Sequence, residues 1–309
     1  MKILITGSDG QIGGELKNYL IKTGHKVSGT VFFKKPEKDE VRIDITNPED
    51  IKKIPDTRFD AVIHTIGEVD QTSSYRKMYK VNVDGTRIIT GMTKSKGSSH
   101  LIHISSIAVY GFKTMGENRT EDLTRRSRNP LAIPYMQTKA KAEQVVEKSG
   151  LGYTILRLPA VIGPNDNSLS PSFIPALLDG SFFLCGKKDR KVSVLNIRNL
   201  GPVIEKILEK GPLNDVFNCC SSHVAFSSLY KEYAARLGVT CKPKKKSILS
   251  LPFNLKDKRF LLILTFSKFG AQYPDNKLHE RVPHSHPHSW KEGVREAVDS
   301  YLDNTDTNT

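Results

Sequence analysis

Short apolar runs alternate along the first half of the chain with stretches whose apolar residues recur every three or four positions. Residues 2–6, 26–31, 41–44, 60–65, 100–106 and 153–157 read as strands, each a brief Ile-, Val- or Leu-rich run. Between them the period lengthens. Ile12, Leu16 and Leu20 are spaced by four, Val81, Ile88 and Ile89 mark a helical period within 72–96, and Ala140, Ala142, Val145 and Val146 mark one within 134–149. Strands that alternate with amphipathic helices predict an α/β fold, a doubly wound parallel sheet covered on both faces.

The second half is less regular. Strand–helix patterning returns at 192–210 and 215–238, but 164–173 and 241–259 are dominated by proline, glycine and lysine. This predicts a smaller, loop-rich C-terminal α/β region assembled from more than one stretch. Ser289 reads as the N-cap of a last helix through Trp290, Val294 and Val298, with a frayed tail at 303–309.

Composition narrows the classes. The 309 residues are 38% hydrophobic, enough for a sizeable core. A net charge of +14 favours anionic partners without choosing among them. Cys185, Cys219, Cys220 and Cys241 form no C-x-x-C pair, which argues against a disulfide framework or a zinc signature and fits a reducing compartment. Only three apolar residues separate Lys2 from Thr6, and no stretch approaches the roughly 20 apolar residues of a membrane span. The expectation is a soluble, cytoplasmic protein.

The first strand runs directly into "GSDGQIG" at 7–13 and then into a helix. Small residues there let the backbone turn sharply and approach a pyrophosphate, and the helix N-terminus offers free N–H groups to its charge. The G-x-x-G-x-x-G spacing resembles the dinucleotide loop of short-chain dehydrogenases/reductases, and later segments resemble the extended branch of that family. These are "DIT" at 44–46, "DAVIHTIG" at 60–67, "NVDGT" at 82–86, "SSIAVYG" at 105–111, "YMQTKAKAE" at 135–143 and "LRLPAVIGP" at 156–164.

The resemblance implies a Rossmann-type dinucleotide-binding domain, residues 1–164 plus about 191–219, and a substrate-binding domain, about 165–190 plus 220–309. It implies that Gly7, Gly10, Gln11, Ile12 and Gly13 cradle the cofactor, that Asp44 and Ile45 meet its adenine, and that Thr65 and Pro159 line it. Thr65 and Ile66 depart from the small residues usual at that strand end. Thr46 or Asn47 can also cap a helix at Pro48. A homodimer through a four-helix contact is implied as well.

By the same resemblance Ser106, Tyr135 and Lys139 are the catalytic set, with Tyr135 and Lys139 also contacting cofactor. Their chemistry is coherent. A free tyrosine has a pKa near 10; a lysine ammonium and an oxidised nicotinamide beside it favour phenolate, which can exchange a proton with a hydroxyl as hydride moves. Ser106, four residues before Tyr110, is preferred to Ser105 as the group that polarises the substrate oxygen. Tyr135 and Lys139 share a helix face at i, i+4. Tyr273 and Lys277 repeat the Tyr-x-x-x-Lys spacing, but in "YPDNK", which is turn chemistry. Asn82 reads as a residue that orients backbone.

The second strand ends at Val31 where many relatives carry Asp, and Lys34 and Lys35 follow. A 2′-phosphate would be tolerated there, so NADP(H) is favoured, with NAD(H) possible. Ile107 and Ala108 stand where 4,6-dehydratases of the family carry Asp-Glu, which argues against dehydration. What remains is hydride transfer at a carbonyl or hydroxyl carbon: a nucleotide-linked keto-sugar reductase first, then a nucleotide-sugar epimerase with tightly bound cofactor, or a reductase of a non-sugar carbonyl. Ala160 replaces the Asn with which many nucleotide-sugar epimerases hold the substrate diphosphate. Arg190, Arg198, Lys187 and Lys188 are the candidates to contact an anionic substrate.

A reading of another class is a non-catalytic NADP-sensing regulator, against which the Ser–Tyr–Lys set argues. The run "KPKKK" at 242–246 lacks interleaved aromatics and reads as a solvated linker, not a nucleic-acid site. The apolar piece 259–266 reads as core. The four histidines of "HERVPHSHPHSW" at 279–290 lie in a proline-broken stretch without Cys or paired acids, and no metal site is expected there.

Overall fold

The structure, a computed structural model, describes residues 1–70, 72–111, 116, 118–123, 133–246 and 258–306. The early strands are β1 (Lys2–Thr6), β2 (Lys26–Val31), β3 (Glu40–Arg42), β4 (Ala61–His64), β5 (His100–Ser106) and β6 (Gly152–Leu158). With β10 (Asp215–Asn218) they form one seven-stranded sheet in the order β10-β6-β5-β4-β1-β2-β3. Every pairing in it is parallel. The chain leaves β1 towards β2 on one side and returns to β4 on the other. The C-terminal ends of β1 and β4 therefore flank the crevice where such sheets bind ligands.

The strands are apolar throughout because both faces are buried. Along β1, Ile3 and Ile5 pack into the core that faces α1 (Gln11–Lys22) and α6 (Leu200–Lys210), while Leu4 packs into the opposite core. The 72–96 stretch is helical but broken. The helix α2 (Tyr75–Tyr79) and α3 (Gly85–Ser95) are joined by a π turn at Lys80–Asp84. A wide turn inside a helix re-aims side chains, here that of Asn82. On the same face lies α4 (Pro134–Glu147).

The remaining chain builds a second core on two small sheets. The strand β9 (Lys191–Asn196) lies between β7 (Ala160–Ile162), parallel to it, and β11 (Ser222–Ala225), antiparallel. The second sheet pairs β8 (Phe183–Cys185) with β12 (Lys244–Lys246), so the lysine run is strand, with Lys246 Nζ 5.1 Å from the Phe183 ring centroid. Around them stand α5 (Ser170–Leu178), α7 (Phe226–Arg236), α8 (Lys258–Lys268), α9 (Asn276–Arg281) and α10 (Trp290–Asp306). Phe173, Phe226, Tyr233, Ile263, Phe266, Val294 and Val298 fill this core, as expected for the apolar piece at 259–266. Residues 191–210 straddle the two parts: β9 joins the small sheet while α6 packs on α1. The last helix begins where its cap predicts. Ser289 Oγ accepts Glu292 N–H at 3.2 Å, and the Glu292 carboxylate accepts Ser289 N–H at 2.6 Å, a reciprocal capping box. Residues 307–309 of the tail lie outside the described residues. Among the described residues no helix is long and apolar enough to cross a membrane.

Candidate active site

The glycine loop folds over the end of β1. Gly7 takes φ +78° and its N–H reaches Thr30 O at 3.0 Å. A Cβ on Gly13 would lie 2.1 Å from Gly7 O and 2.9 Å from Thr65 Oγ1, so the start of α1 touches the loop backbone with no room for a side chain. Gly10 is the N-cap, and Gln11, Ile12 and Gly13 form the first turn, whose N–H groups have no partner within the helix. Gln11 Nε2 is buried without a hydrogen-bond partner. A buried donor left open beside a helix N-terminus fits an anionic ligand such as a dinucleotide pyrophosphate. Thr65 pins β4 to this loop, donating to Thr6 O at 2.6 Å.

The end of β2 brings a residue that sequence spacing hides. One carboxylate oxygen of Asp9, from inside the loop, accepts the N–H groups of Phe32 at 2.8 Å, Phe33 at 2.7 Å and Lys34 at 3.4 Å. An acid thus stands at the end of β2 although Val31 ends the strand. Lys34 and Lys35 are exposed. Asp44, just past β3, turns its carboxylate back onto Thr46, accepting its N–H at 2.8 Å and hydroxyl at 2.7 Å. Ile45 is buried against Gly85. The helical turn after Pro48 is capped by Asn47, which accepts Glu49 N–H at 3.2 Å, so capping falls to Asn47 rather than Thr46.

Ser106 and Tyr135 meet. Ser106 ends β5, accepts Ala108 N–H at 3.2 Å and lies beside the Tyr135 phenol, close enough to influence its ionisation. Burial raises the phenol's pKa and the Ser106 contact partly offsets it. Lys139, one turn on, is buried and donates to Ile104 O at 2.7 Å; burial lowers its pKa to about 8, with Glu143 pulling the other way. Asn82 Oδ1 accepts Glu68 N–H at 2.7 Å, and its Nδ2 donates to Thr138 Oγ1 at 3.0 Å. It ties the loop after β4 to α4 and so positions backbone. Pro159 is buried just past β6, and Ala160 opens β7.

Ser105 points to the other side of β5. It donates to Glu143 at 2.6 Å, and Glu143 takes two hydrogen bonds from Arg157 at 3.0 and 2.8 Å. Burial lowers the pKa of the Arg157 guanidinium, but the Glu143 contacts more than offset that. Arg157 also lies 4.6 Å from the Tyr110 ring centroid. Glu143 follows Lys139 by one further helical turn, the signal by which sequence could have found it. His64 and His103 are buried beside Lys139, with ring centroids 5.3 Å apart; burial, then the Lys139 charge, lowers His64 to about 3 and His103 well below its ordinary value.

Other candidates fall elsewhere. Tyr273 is buried and stacked on Tyr110 at 5.3 Å, while Lys277 pairs with Asp215 at 2.8 Å. Arg198 pairs with Glu296 at 2.9 Å, Lys187 and Lys188 are exposed, and Arg190 is half-buried.

Known proteins resemble the chain in sequence and in fold. The sequence pattern described as the NAD dependent epimerase/dehydratase family matches residues 3–220. The 2-alkyl-3-oxoalkanoate reductase of Stenotrophomonas maltophilia (strain K279a) is 27% identical over 221 residues, 64% of this chain and 62% of that protein. The chain thus matches about three-fifths of the length of that curated relative, and 58% of the length of a 3-beta-hydroxysteroid dehydrogenase of Mycolicibacterium neoaurum at 27% identity over 64% of this chain. The solved structure of the Bordetella bronchiseptica enzyme WbmH in complex with NAD+ superposes with a TM-score of 0.79 at 20% identity, covering 98% of both chains.

Proposed function

Because the chain belongs to the NAD dependent epimerase/dehydratase family, we propose that it is an NAD(P)-dependent oxidoreductase acting at a carbonyl or hydroxyl carbon, with Ser106, Tyr135 and Lys139 as its catalytic residues. The observation that supports this most is that Ser106 lies beside the Tyr135 phenol, with buried Lys139 one helical turn on from Tyr135. Gly7, Gly10, Gln11, Ile12 and Gly13 would hold the cofactor, with Thr65 and Pro159 lining it and Asp44 and Ile45 at its adenine. When bound, the nicotinamide supplies or takes the hydride. Tyr135 gives or takes the proton at the substrate oxygen, and Ser106 donates a hydrogen bond to that oxygen as charge gathers on it. Lys139 supplies the positive charge that makes a phenolate accessible at neutral pH.

The substrate we favour is a nucleotide-linked keto-sugar, reduced by the enzyme; the net charge of +14 suits its phosphates. A second reading, reduction of a non-sugar carbonyl, is favoured by the buried Ala160 and by the likeness to the oxoalkanoate reductase. Ile107 and Ala108 leave no acid or base beside Ser106 for dehydration. A panel of nucleotide-linked keto-sugars and plain β-keto acids, followed by nicotinamide absorbance, separates the readings. Tyr135→Phe should lower turnover about 1,000-fold while cofactor still binds. Turnover that survives this change would sink the mechanism.

For the cofactor, Val31 and the absent acid at the end of β2 point to NADP(H), but the fold returns an acid to that place. Asp9 is held there by backbone N–H groups, whereas Lys34 and Lys35 are exposed and screened. We therefore favour NAD(H). Its Kd should be about 10-fold below that of NADP(H), and Asp9→Asn should erase the difference. Tighter NADP(H) binding by the unaltered protein would refute this.

A further inference from the structure

The histidines at the end of the chain are brought to an acid by the fold. Asp275 stands just before α9, and His284 and His286 lie between α9 and α10. One Asp275 oxygen, Oδ2, is 3.5 Å from His284 Nε2 and 3.2 Å from His286 Nε2, and the three ligand atoms lie within 4.8 Å of one another. The acid is 11 residues from His286 in sequence, which is why the run of histidines reads as having none.

The proton on His284 is fixed by its surroundings. Its Nδ1 lies 2.7 Å from Val282 O, and a carbonyl only accepts, so Nδ1 carries the hydrogen. In the neutral ring Nε2 is then a bare lone pair. It faces a carboxylate oxygen, completes no hydrogen bond, and belongs to a side chain only 1% exposed. The pair is satisfied by a positive charge between the two atoms: either a second proton on the ring, which burial opposes but the neighbouring carboxylate favours enough to raise the pKa of His284, or a metal ion. Only the metal ion also engages His286 and Asp275 as co-ligands. An N–H held by a backbone carbonyl is also how ligating histidines are commonly oriented.

We propose that Asp275, His284 and His286 bind one divalent transition-metal ion of the zinc class. Bonds of about 2.0–2.1 Å in a tetrahedron set ligand atoms about 3.3 Å apart, and the two observed separations bracket that figure. Two imidazoles and one carboxylate suit zinc and are too few oxygens for calcium or magnesium. Asp275 and His286 are each about one-fifth exposed, which gives an ion a way in and leaves a position for water. The Cys220 thiol, 3.9 Å from His223 Nε2, has its pKa raised by burial and is near enough to Asp275 for the carboxylate to raise it further.

The role that follows is a clamp. Two residues before Asp275, Tyr273 stacks on Tyr110 and donates its N–H to Ser193 Oγ at 2.8 Å. An ion here would join the start of α9 to the segment before α10 and hold that segment on the body of the fold. This does not depend on the proposed reaction.

The test uses the full chain stripped with a chelator. Calorimetric titration with Zn2+ should show one ion per chain, and Co2+ should give the intense visible absorption of a tetrahedral site. Loading should raise the thermal midpoint. The double variant Asp275→Asn/His284→Ala should bind Zn2+ about 100-fold or more weakly and lose the thermal response. Absence of both stoichiometric Zn2+ uptake and tetrahedral Co2+ absorption in the unaltered protein would overturn the site, as would unchanged binding by the double variant. The Co2+ spectrum of the unaltered protein decides the question even if the variant does not fold.

Discussion

The parallel sheet and the C-terminal segment at 274–289 satisfy their buried backbone in opposite ways. In the sheet, strand ladders pair the N–H and C=O groups, and apolar side chains fill both faces. The C-terminal segment is largely irregular, and three fully buried asparagines bind it. Asn196 Nδ2 donates to Ser289 O at 2.8 Å. Asn199 donates to His288 O at 2.7 Å and accepts His288 N–H at 2.9 Å. Asn218 donates to Pro274 O at 3.3 Å and accepts the Tyr110 hydroxyl at 2.8 Å. Irregular backbone can enter a core only where side chains take over the ladder's work. Such a region hangs on single residues, whereas a sheet spreads its support over many.

The strongest way to separate the two regions is acid. His64, His100 and His103 lie on the sheet, and burial holds them neutral: His64 falls to about 3, His100 to about 4, and His103 well below its ordinary value. Their folded-state values lie below the unfolded value of 6.5, so the unfolded chain takes up protons first. Their contribution is therefore complete above pH 6.5 and is lost as pH falls towards 4. Each contributes a slope of about 1.4 kcal/mol per pH unit, about 4 for the three together. Urea unfolding followed at several pH values should show it. Trp290, the sole tryptophan, sits at the start of α10 and reports the C-terminal side, while far-UV circular dichroism reports the whole. Stability that stays flat from pH 6.5 to 4.5 would contradict this account of the sheet.

Next in size is Asn199→Ala, which strands the half-buried N–H and C=O of His288. It should remove about 1–3 kcal/mol, read from the urea midpoint. A loss below about 0.5 kcal/mol would mean that the segment does not depend on its asparagines. Smallest is Ser289→Ala at the exposed end of α10. Loss of the cap should cost about 1 kcal/mol, with the Asn199 effect unchanged when the two are combined only if the sites act independently.

The same contrast governs what could be read from sequence. The strands β1, β2 and β5 have the bounds that their apolar runs and following glycine or polar residues predict. The strand β3 occupies 40–42 rather than 41–44 because Asp44 turns onto Thr46 and leaves the ladder. Ser106 and Tyr135 could be proposed as partners by the family resemblance, because its motifs sit at fixed places in a strand and a helix. Asp9 could not, since its meaning depends on where the end of β2 arrives in space. Nor could the three-stranded sheet, whose members β7, β9 and β11 are short and come from separate stretches without a repeated unit. Tyr273 shows the reverse case. Its turn-like neighbours argued against a catalytic role, and its ring is packed against Tyr110 in the core.

Ser105 and Ser106 face opposite sides of one strand, and this makes length at β5 a different matter from composition. A point substitution at either serine removes one hydroxyl and leaves the other in place. Deleting or inserting one residue upstream in the strand would exchange the two faces. The hydroxyl beside Tyr135 would then be offered to Glu143, and the side chains fitted to each of the two cores would be turned into the other. In this strand a replacement therefore changes one side chain, whereas a one-residue insertion or deletion changes every one beyond it.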